Sequence, residues 1–302
     1  MIGNYPITWV ISDALSLILF SLCLIHALNH EDSKHRVLEL CCFTIGSTIF
    51  EHFGVKLLHY FSYDQHRLMM IGVVPLGVIL TEAVIVYAAF RLFEHLNMPK
   101  WTSIWVIGFF AMLQDMSYDP VAVHDTYLYN GAMSGQWNWA FQYDGTYFGI
   151  PFYNFTGWLL FCGIYPALTL LGRHIYKKTK NEIWGYSYSF ISGLILIVPV
   201  VLLGAIFSSG DRNMQLIKMI ANGVFAIALM AIYWKKMTPI NLKKDMIILI
   251  VPIVLRLYDI VVCFSLKLQE AYVPVIVCSI VHFVYLAIIF AKAKKNQVFH
   301  NV

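Results

Sequence analysis

An all-α, polytopic membrane protein is the fold class that this sequence predicts, on three observations. Of 302 residues, 59% are hydrophobic and only 13% are charged, against roughly 25% charged in soluble domains. Mean hydropathy is +0.68. Apolar stretches of the roughly 20 residues that a bilayer crossing needs recur along the whole chain. One soluble core cannot take up so much apolar surface. A bilayer can.

Windows of that length place nine spans, with eight as the neighbouring count, near 7–28, 37–61, 69–93, 101–118, 150–172, 183–208, 215–234, 246–266 and 271–291. The first has no basic n-region, since Lys34 is the first basic residue, and no small-residue cleavage site closes it. It therefore reads as a retained helix and not as a signal peptide. No internal repeat, low-complexity tract or polar linker divides the sequence, so 1–302 is expected to form one multi-pass domain of the cell membrane.

Basic residues set the orientation, because cytoplasmic loops retain Lys and Arg. With the N-terminus outside, the inner loops take fifteen of the 21, from Lys34 and Arg36 through Arg173 and Lys177 to Lys292–Lys295. The outer loops take Arg67, Arg212 and Lys267, and Lys56, Lys218 and Arg256 fall within spans or at their edges. This predicts N-terminus outside and C-terminus inside. The net charge of +4 is then a topology signal and does not point to nucleic acid. The six cysteines all fall within predicted spans, none in a CxxC pair, and read as buried free thiols.

Candidate chemistry concentrates between Lys100 and Arg173, a stretch with no Lys or Arg but with Asp115, Asp119, Asp125 and Asp144. It is rich in aromatics, among them Trp137, Trp139, Phe141, Tyr143, Tyr147, Phe148 and Trp158. Rings at a membrane border commonly form an interfacial belt. An acidic, ring-lined loop over about 119–149 also suits a cationic hydrocarbon intermediate, since carboxyls supply protons and ring faces stabilise cations.

Seven ionisable groups fall at membrane depth: Asp13, Glu39, Glu51, Lys56, Glu82, Arg256 and Asp259. Each costs roughly 2.5–3.5 kcal/mol at a helix centre and needs a partner or a polar cavity. Arg256 and Asp259, at i and i+3, can pair; Asp13 sits near the outer end of its helix, within reach of water. Glu51 is mid-span, where a carboxyl can serve as a general acid; contact with Lys56 or His52 is the structural alternative. Asp115 and Asp119, four apart, share a helix face, and Pro120 makes continuation of that helix unfavourable. A single DxxxD pair is half of what a membrane prenyltransferase uses to bind Mg²⁺-diphosphate. His26 and His30 make one HxxxH, short of the several boxes of a di-iron oxygenase. No phosphate loop, GxSxG or HExxH is present, and no metal or cofactor site is legible.

The segment Gly145-Thr146-Tyr147-Phe148-Gly149-Ile150-Pro151-Phe152-Tyr153-Asn154-Phe155-Thr156-Gly157-Trp158 resembles the membrane carotenoid-biosynthesis family. That family includes γ-carotene and bisanhydrobacterioruberin end-group hydratases. Its pattern, G-x-Y-x-G-I/V-P-x-x-N-F-x-G-W, is met at every fixed position. Asp119-Pro120-Val121-Ala122-Val123 resembles its DP-x-x-V element. Glu51-His52-Phe53-Gly54, followed by Tyr60 and Tyr63 and then Gly72-Val73-Val74-Pro75-Leu76, resembles its E-x-x-G and G-V-P-L elements. The likeness covers about 50–160. Lys56-Leu57-Leu58-His59 stands where the family has glycines, and Val123–Gly135, with His124, Asp125 and Asn130, is longer and more polar. Both departures bear on pocket shape and so on the substrate.

The resemblance implies cofactor-independent addition of water to a terminal double bond of an acyclic carotenoid or similar polyisoprenoid drawn from the bilayer. Such an enzyme would be a hydratase of the lyase class. Glu51 or Asp119 is then the expected acid, and the other, or Asp115, the base that orients water, with Asn154 holding that water. Trp137, Trp139, Tyr147 and Trp158 are the expected cation shields, with Tyr60, Tyr63 and Phe148 among the substrate contacts. A cyclase would use the same acid and rings but close a ring; a non-catalytic lipid or pigment carrier would need only the rings.

Overall fold

In the computed structural model, which describes residues 5–129, 131–140, 147–207, 209–236, 238 and 240–299, the chain is a helical bundle. In order come α1 (Ile7–Leu28), α2 (Ser33–Lys56), α3 (Leu76–Leu96), α4 (Ser103–His124), α5 (Phe152–Thr179), α6 (Glu182–Ile195), α7 (Ile197–Phe207), α8 (Arg212–Tyr233), the single turn α9 (Leu242–Asp245), α10 (Ile247–Ser265) and α11 (Tyr272–Phe299). Helices α6 and α7 nearly continue one another through Leu196. Three short antiparallel pairs complete the described structure: β1 (Phe61–Tyr63) with β6 (Trp137–Trp139), β2 (Met70–Ile71) with β3 (Val74–Pro75), and β4 (Tyr127–Tyr129) with β5 (Ala132–Ser134).

Seven helices among the described residues are long and apolar enough to cross a membrane. This is an integral membrane protein. Helices α2 and α4 have the length but not the apolarity, because they carry Glu39 and Glu51, and Gln114, Asp115 and Asp119. These polar groups are on the buried faces of both helices. Helix α3 is the axis, with 94% of its spanning window buried; the α6–α7 rod and α8 are peripheral, at 28% and 22%.

Close packing is built on glycine. A Cβ on Gly108 would lie 2.1 Å from the carbonyl oxygen of Leu159, and one on Gly163 the same distance from that of Ile104. Helices α4 and α5 therefore touch backbone to backbone, as small residues permit inside membranes. Gly46 and Gly193 do the same for α2 and α6.

Most charges at membrane depth are neutralised in pairs. Glu39 accepts from Arg91 and from Arg173 (2.6 Å), and Glu94 accepts from the same two arginines, tying α2, α3 and α5 together at one end. Arg256 meets Asp259 at 3.3 Å, as its spacing predicts, and also His282 and the carbonyl of Leu113. Asp13 is not wet: it is buried and paired with Arg67 from the loop after β1. Lys56 is exposed and takes no part. Burial alone pushes the Asp245 carboxyl up, but hydrogen bonds from His26 and His95 hold it well below the usual range and fasten α9 to α1 and α3.

Two boundaries differ from expectation. Helix α4 runs through Pro120 to His124; the proline only frees one carbonyl a turn earlier, which a buried helix can absorb. The stretch 119–149 is not an open loop in its described part. It is the end of α4, the β4–β5 hairpin and β6, while Asn130 and 141–146, with Phe141, Tyr143, Asp144, Gly145 and Thr146, lie outside the described residues.

Candidate active site

A chain of buried polar groups seats the β-strands on the bundle. Gln136 donates to Asp125 (3.2 Å), Arg67 donates to Gln136 (3.1 Å), and Arg67 ends on Asp13. Asp125 thus serves the fold. The backbone N–H of Gln136 bonds the carbonyl of Ala122, and that of Asp64 bonds the carbonyl of Gln136. In β1–β6, Tyr63 stands opposite Trp137 and Phe61 opposite Trp139. Since alternate residues of a strand share a face, these four rings project together.

They roof a cavity of about 240 Å³. Helix periodicity supplies its walls: Phe50, Glu51 and Gly54 from α2; Val78, Thr81 and Glu82 from α3; Tyr118 and Asp119 from α4; and Asn154, Gly157, Trp158 and Phe161 from α5. Helix α7 closes the remaining side with Val200, Val201, Gly204 and Ala205. The same short helix exposes Val198, Leu202 and Ile206 outward, so only one helix separates the cavity from the surroundings on that side. The lining is ring-rich: Tyr63 and Trp137 have centroids 5.9 Å apart, Trp139 and Tyr153 6.1 Å, and Phe50 stacks on Phe161 at 4.4 Å.

Of the expected site residues, the structure brings Glu51, Asp119, Asn154, Tyr60, Tyr63, Trp137, Trp139 and Trp158 to this cavity. Asp115 lies one layer behind, joined to Asp119 and reached by Asn154, whose amide donates to Asp115 at 2.8 Å and to Asp119 at 2.6 Å. In this structure Asn154 holds the two aspartates, where a water-binding role was expected. Tyr147 and Phe148 are not brought to the cavity. The Tyr147 ring packs on Phe155 and its hydroxyl faces Cys278 at 3.9 Å, while Phe148 offers its carbonyl to His124 at 3.1 Å. The β-bridge of Tyr147 with Ile150 turns this segment toward α11.

Glu51 contacts neither Lys56 nor the His52 ring as partner. It accepts from the Tyr63 hydroxyl at 2.5 Å and is hydrogen-bonded to Glu82; His52 bonds the carbonyl of Thr48. Sequence reasoning noted Glu82 as a charge at membrane depth and went no further; its adjacency to Glu51 arises from the packing of α2 on α3. The wall from α7 left no signal, being wholly apolar.

These four carboxyls differ from the buried acids that hold an arginine. Glu39, Asp13 and Asp259 each have an arginine; among the described residues Glu51, Glu82, Asp115 and Asp119 make no ion pair with Lys or Arg. They meet one another, Tyr63, Ser47 and Asn154 instead. A hydrogen bond between two carboxyl groups requires a proton on one of them. The site is thus an aromatic, carboxyl-lined chamber with no lysine or arginine among the described residues that line it. It can deliver and accept protons at an apolar ligand.

The family model for carotenoid biosynthesis proteins matches residues 12–209. The chain belongs to that family. Every residue lining the cavity lies within the matched segment. No curated protein and no solved structure matches the chain. The role is therefore carotenoid biosynthesis.

Gly157, in the motif on α5, borders the cavity, and a Cβ there would meet nothing within 4 Å. Gly157→Leu should leave the thermal midpoint of the detergent-solubilised protein unchanged while lowering retention of an acyclic carotenoid at least about tenfold. Gly163→Leu, aimed at the α4–α5 contact, should instead abolish folded expression. Undiminished carotenoid retention by Gly157→Leu would show that the ligand sits elsewhere.

Proposed function

We propose that this chain adds water to the terminal double bond of an acyclic carotenoid or related polyisoprenoid, as a cofactor-independent hydratase of the lyase class. The observation that carries this reading is the convergence of unpaired-by-cation carboxyls, Glu51 and Asp119, on one aromatic cavity walled by an outward-facing apolar helix. The cavity has room for the end of a polyisoprenoid, with the rest of the chain left in the bilayer.

In the reaction we infer, Glu51 gives its proton to the less substituted alkene carbon. The π pair forms the new C–H bond, and the neighbouring carbon becomes a tertiary cation. The faces of Tyr63, Trp137, Trp139 and Trp158 stabilise it. Water attacks the cation, forming the C–O bond, and its spare proton passes to Asp119, which Asn154 and Asp115 hold in place. The net change is addition of one water, without oxidation or reduction. Proton return from Asp119 to Glu51 completes the cycle. Tyr60 is then a substrate contact at the cavity edge.

The placement that goes with this reading is the cell membrane, crossed nine times, with the N-terminus and the β-strand roof outside and the C-terminus inside. Arg36, Arg91 and Arg173, which the charge pattern assigns to the inner side, gather around Glu39 and Glu94, which supports that assignment.

Incubation of purified protein with an acyclic carotenoid tests the chemistry. A product heavier by one water per modified end is expected; an isomer of unchanged mass would indicate ring closure, and unchanged substrate a binding protein. Fusion of a reporter to the C-terminus tests the placement: activity is expected only for a reporter that works in the cytoplasm, and the opposite result would reverse the orientation.

A further inference from the structure

One carboxyl at the cavity has no part in the reaction just described. Glu82, on α3, is 4% exposed and borders the cavity beside Thr81. On one side it accepts a hydrogen bond from the Ser47 hydroxyl of α2; on the other it is hydrogen-bonded to Glu51. Glu51 also receives the Tyr63 hydroxyl at 2.5 Å. The groups facing this pair are Tyr63, Ser47 and, across the cavity, Asp119, with His52 next to Glu51 in the chain. Among the described residues, no lysine or arginine lines the cavity.

This arrangement matters at one moment of the reaction. When Glu51 releases its proton to carbon, its O–H bond breaks and a carboxylate is left in a site with no counter-cation. Such a charge needs preorganised donors. We propose that Glu82 is a positioning residue: it keeps its own proton throughout and donates it, with the Tyr63 hydroxyl, to the Glu51 carboxylate formed by proton transfer. Ser47 donates to one oxygen of Glu82 and so restrains its orientation. The inference rests on the acid role of Glu51 proposed above.

It makes the two neighbouring carboxyls respond oppositely to the same substitution. Glutamine at 82 reproduces both contacts, its carbonyl accepting from Ser47 and its N–H donating to Glu51. Glutamine at 51 has no proton to transfer. Methionine at 82 keeps the volume and removes the donor.

With an acyclic carotenoid as substrate, Glu82→Gln should keep kcat within a few-fold of the unsubstituted protein. Glu82→Met should lower kcat about 10²–10³-fold, the cost of one preorganised donor, with KM unchanged. Glu51→Gln should lower it about 10²–10⁴-fold, as for loss of a positioned acid. Glu82→Gln as inactive as Glu51→Gln, or Glu82→Met fully active, would overturn the proposal. If the unsubstituted protein makes an isomer and no hydrate, the hydration reading fails, while the same asymmetry still reports on proton transfer to the alkene. Infrared spectra of the purified protein need no turnover. Of the protonated-carboxyl C=O bands that shift in D₂O, to which Glu51 also contributes, one should be lost in Glu82→Gln. An unchanged set of bands in the variant overturns the proposal whatever product is made.

Discussion

Four carboxyl groups without a cation beside them are the feature around which the structure is arranged. Elsewhere in the bundle Glu39 is matched to Arg91 and Arg173, Asp13 to Arg67 and Asp259 to Arg256, while Asp245 meets two histidines and Asp125 accepts from Gln136. Such pairs fix charge and tie helices together. Glu51 and Glu82 instead share a hydrogen bond, as do Asp115 and Asp119. Removing these groups from water is costly unless they carry protons or meet donors. The donors come from separate elements: Tyr63 from β1, Ser47 from α2, Asn154 from α5. Holding them in register needs the Gly108–Leu159 and Gly163–Ile104 contacts of α4 with α5, and the strand pairing that sets Tyr63 against Trp137.

The same constraint explains the division of labour among helices. Helix α4 is largely buried along its length, and α2 turns Glu39, Ser47 and Glu51 inward while exposing Ile45 and Ile49. The cavity forms on their inner side. Its one thin wall is α7, an eleven-residue helix with no ionisable residue, packed on α5. An apolar chain can approach from that side without passing a charge. The polar chain Asp125–Gln136–Arg67–Asp13 fastens the strands of the cavity roof to the bundle.

Much of this was legible in the sequence. The helical rods follow from apolar length alone, and the motif residues Glu51, Asp119 and Asn154, separated by up to a hundred positions, do reach one cavity. What escaped was set by packing. Glu82 looks like any lone charge in an apolar run until α2 places Ser47 and Glu51 against it. Tyr147 matches the motif as well as Trp158 does, yet a local bridge to Ile150 turns it, with its neighbour Phe148, toward α11. Asp13 reads as interfacial until Arg67, from a loop with no periodicity to announce it, covers it. Pro120 reads as a helix end because the rule for exposed helices weighs a lost backbone bond; within a tightly packed bundle α4 continues past it.

The central claim is that this cavity transfers a proton to carbon and then admits water. Running the reaction of the unsubstituted protein in D₂O, and separately in ¹⁸O-labelled water under air, tests it directly. The account predicts one carbon-bound deuterium beside each new hydroxyl, and an oxygen that comes from water. A product whose oxygen derives from O₂, or whose new hydroxyl forms without deuterium on the adjacent carbon, would contradict it.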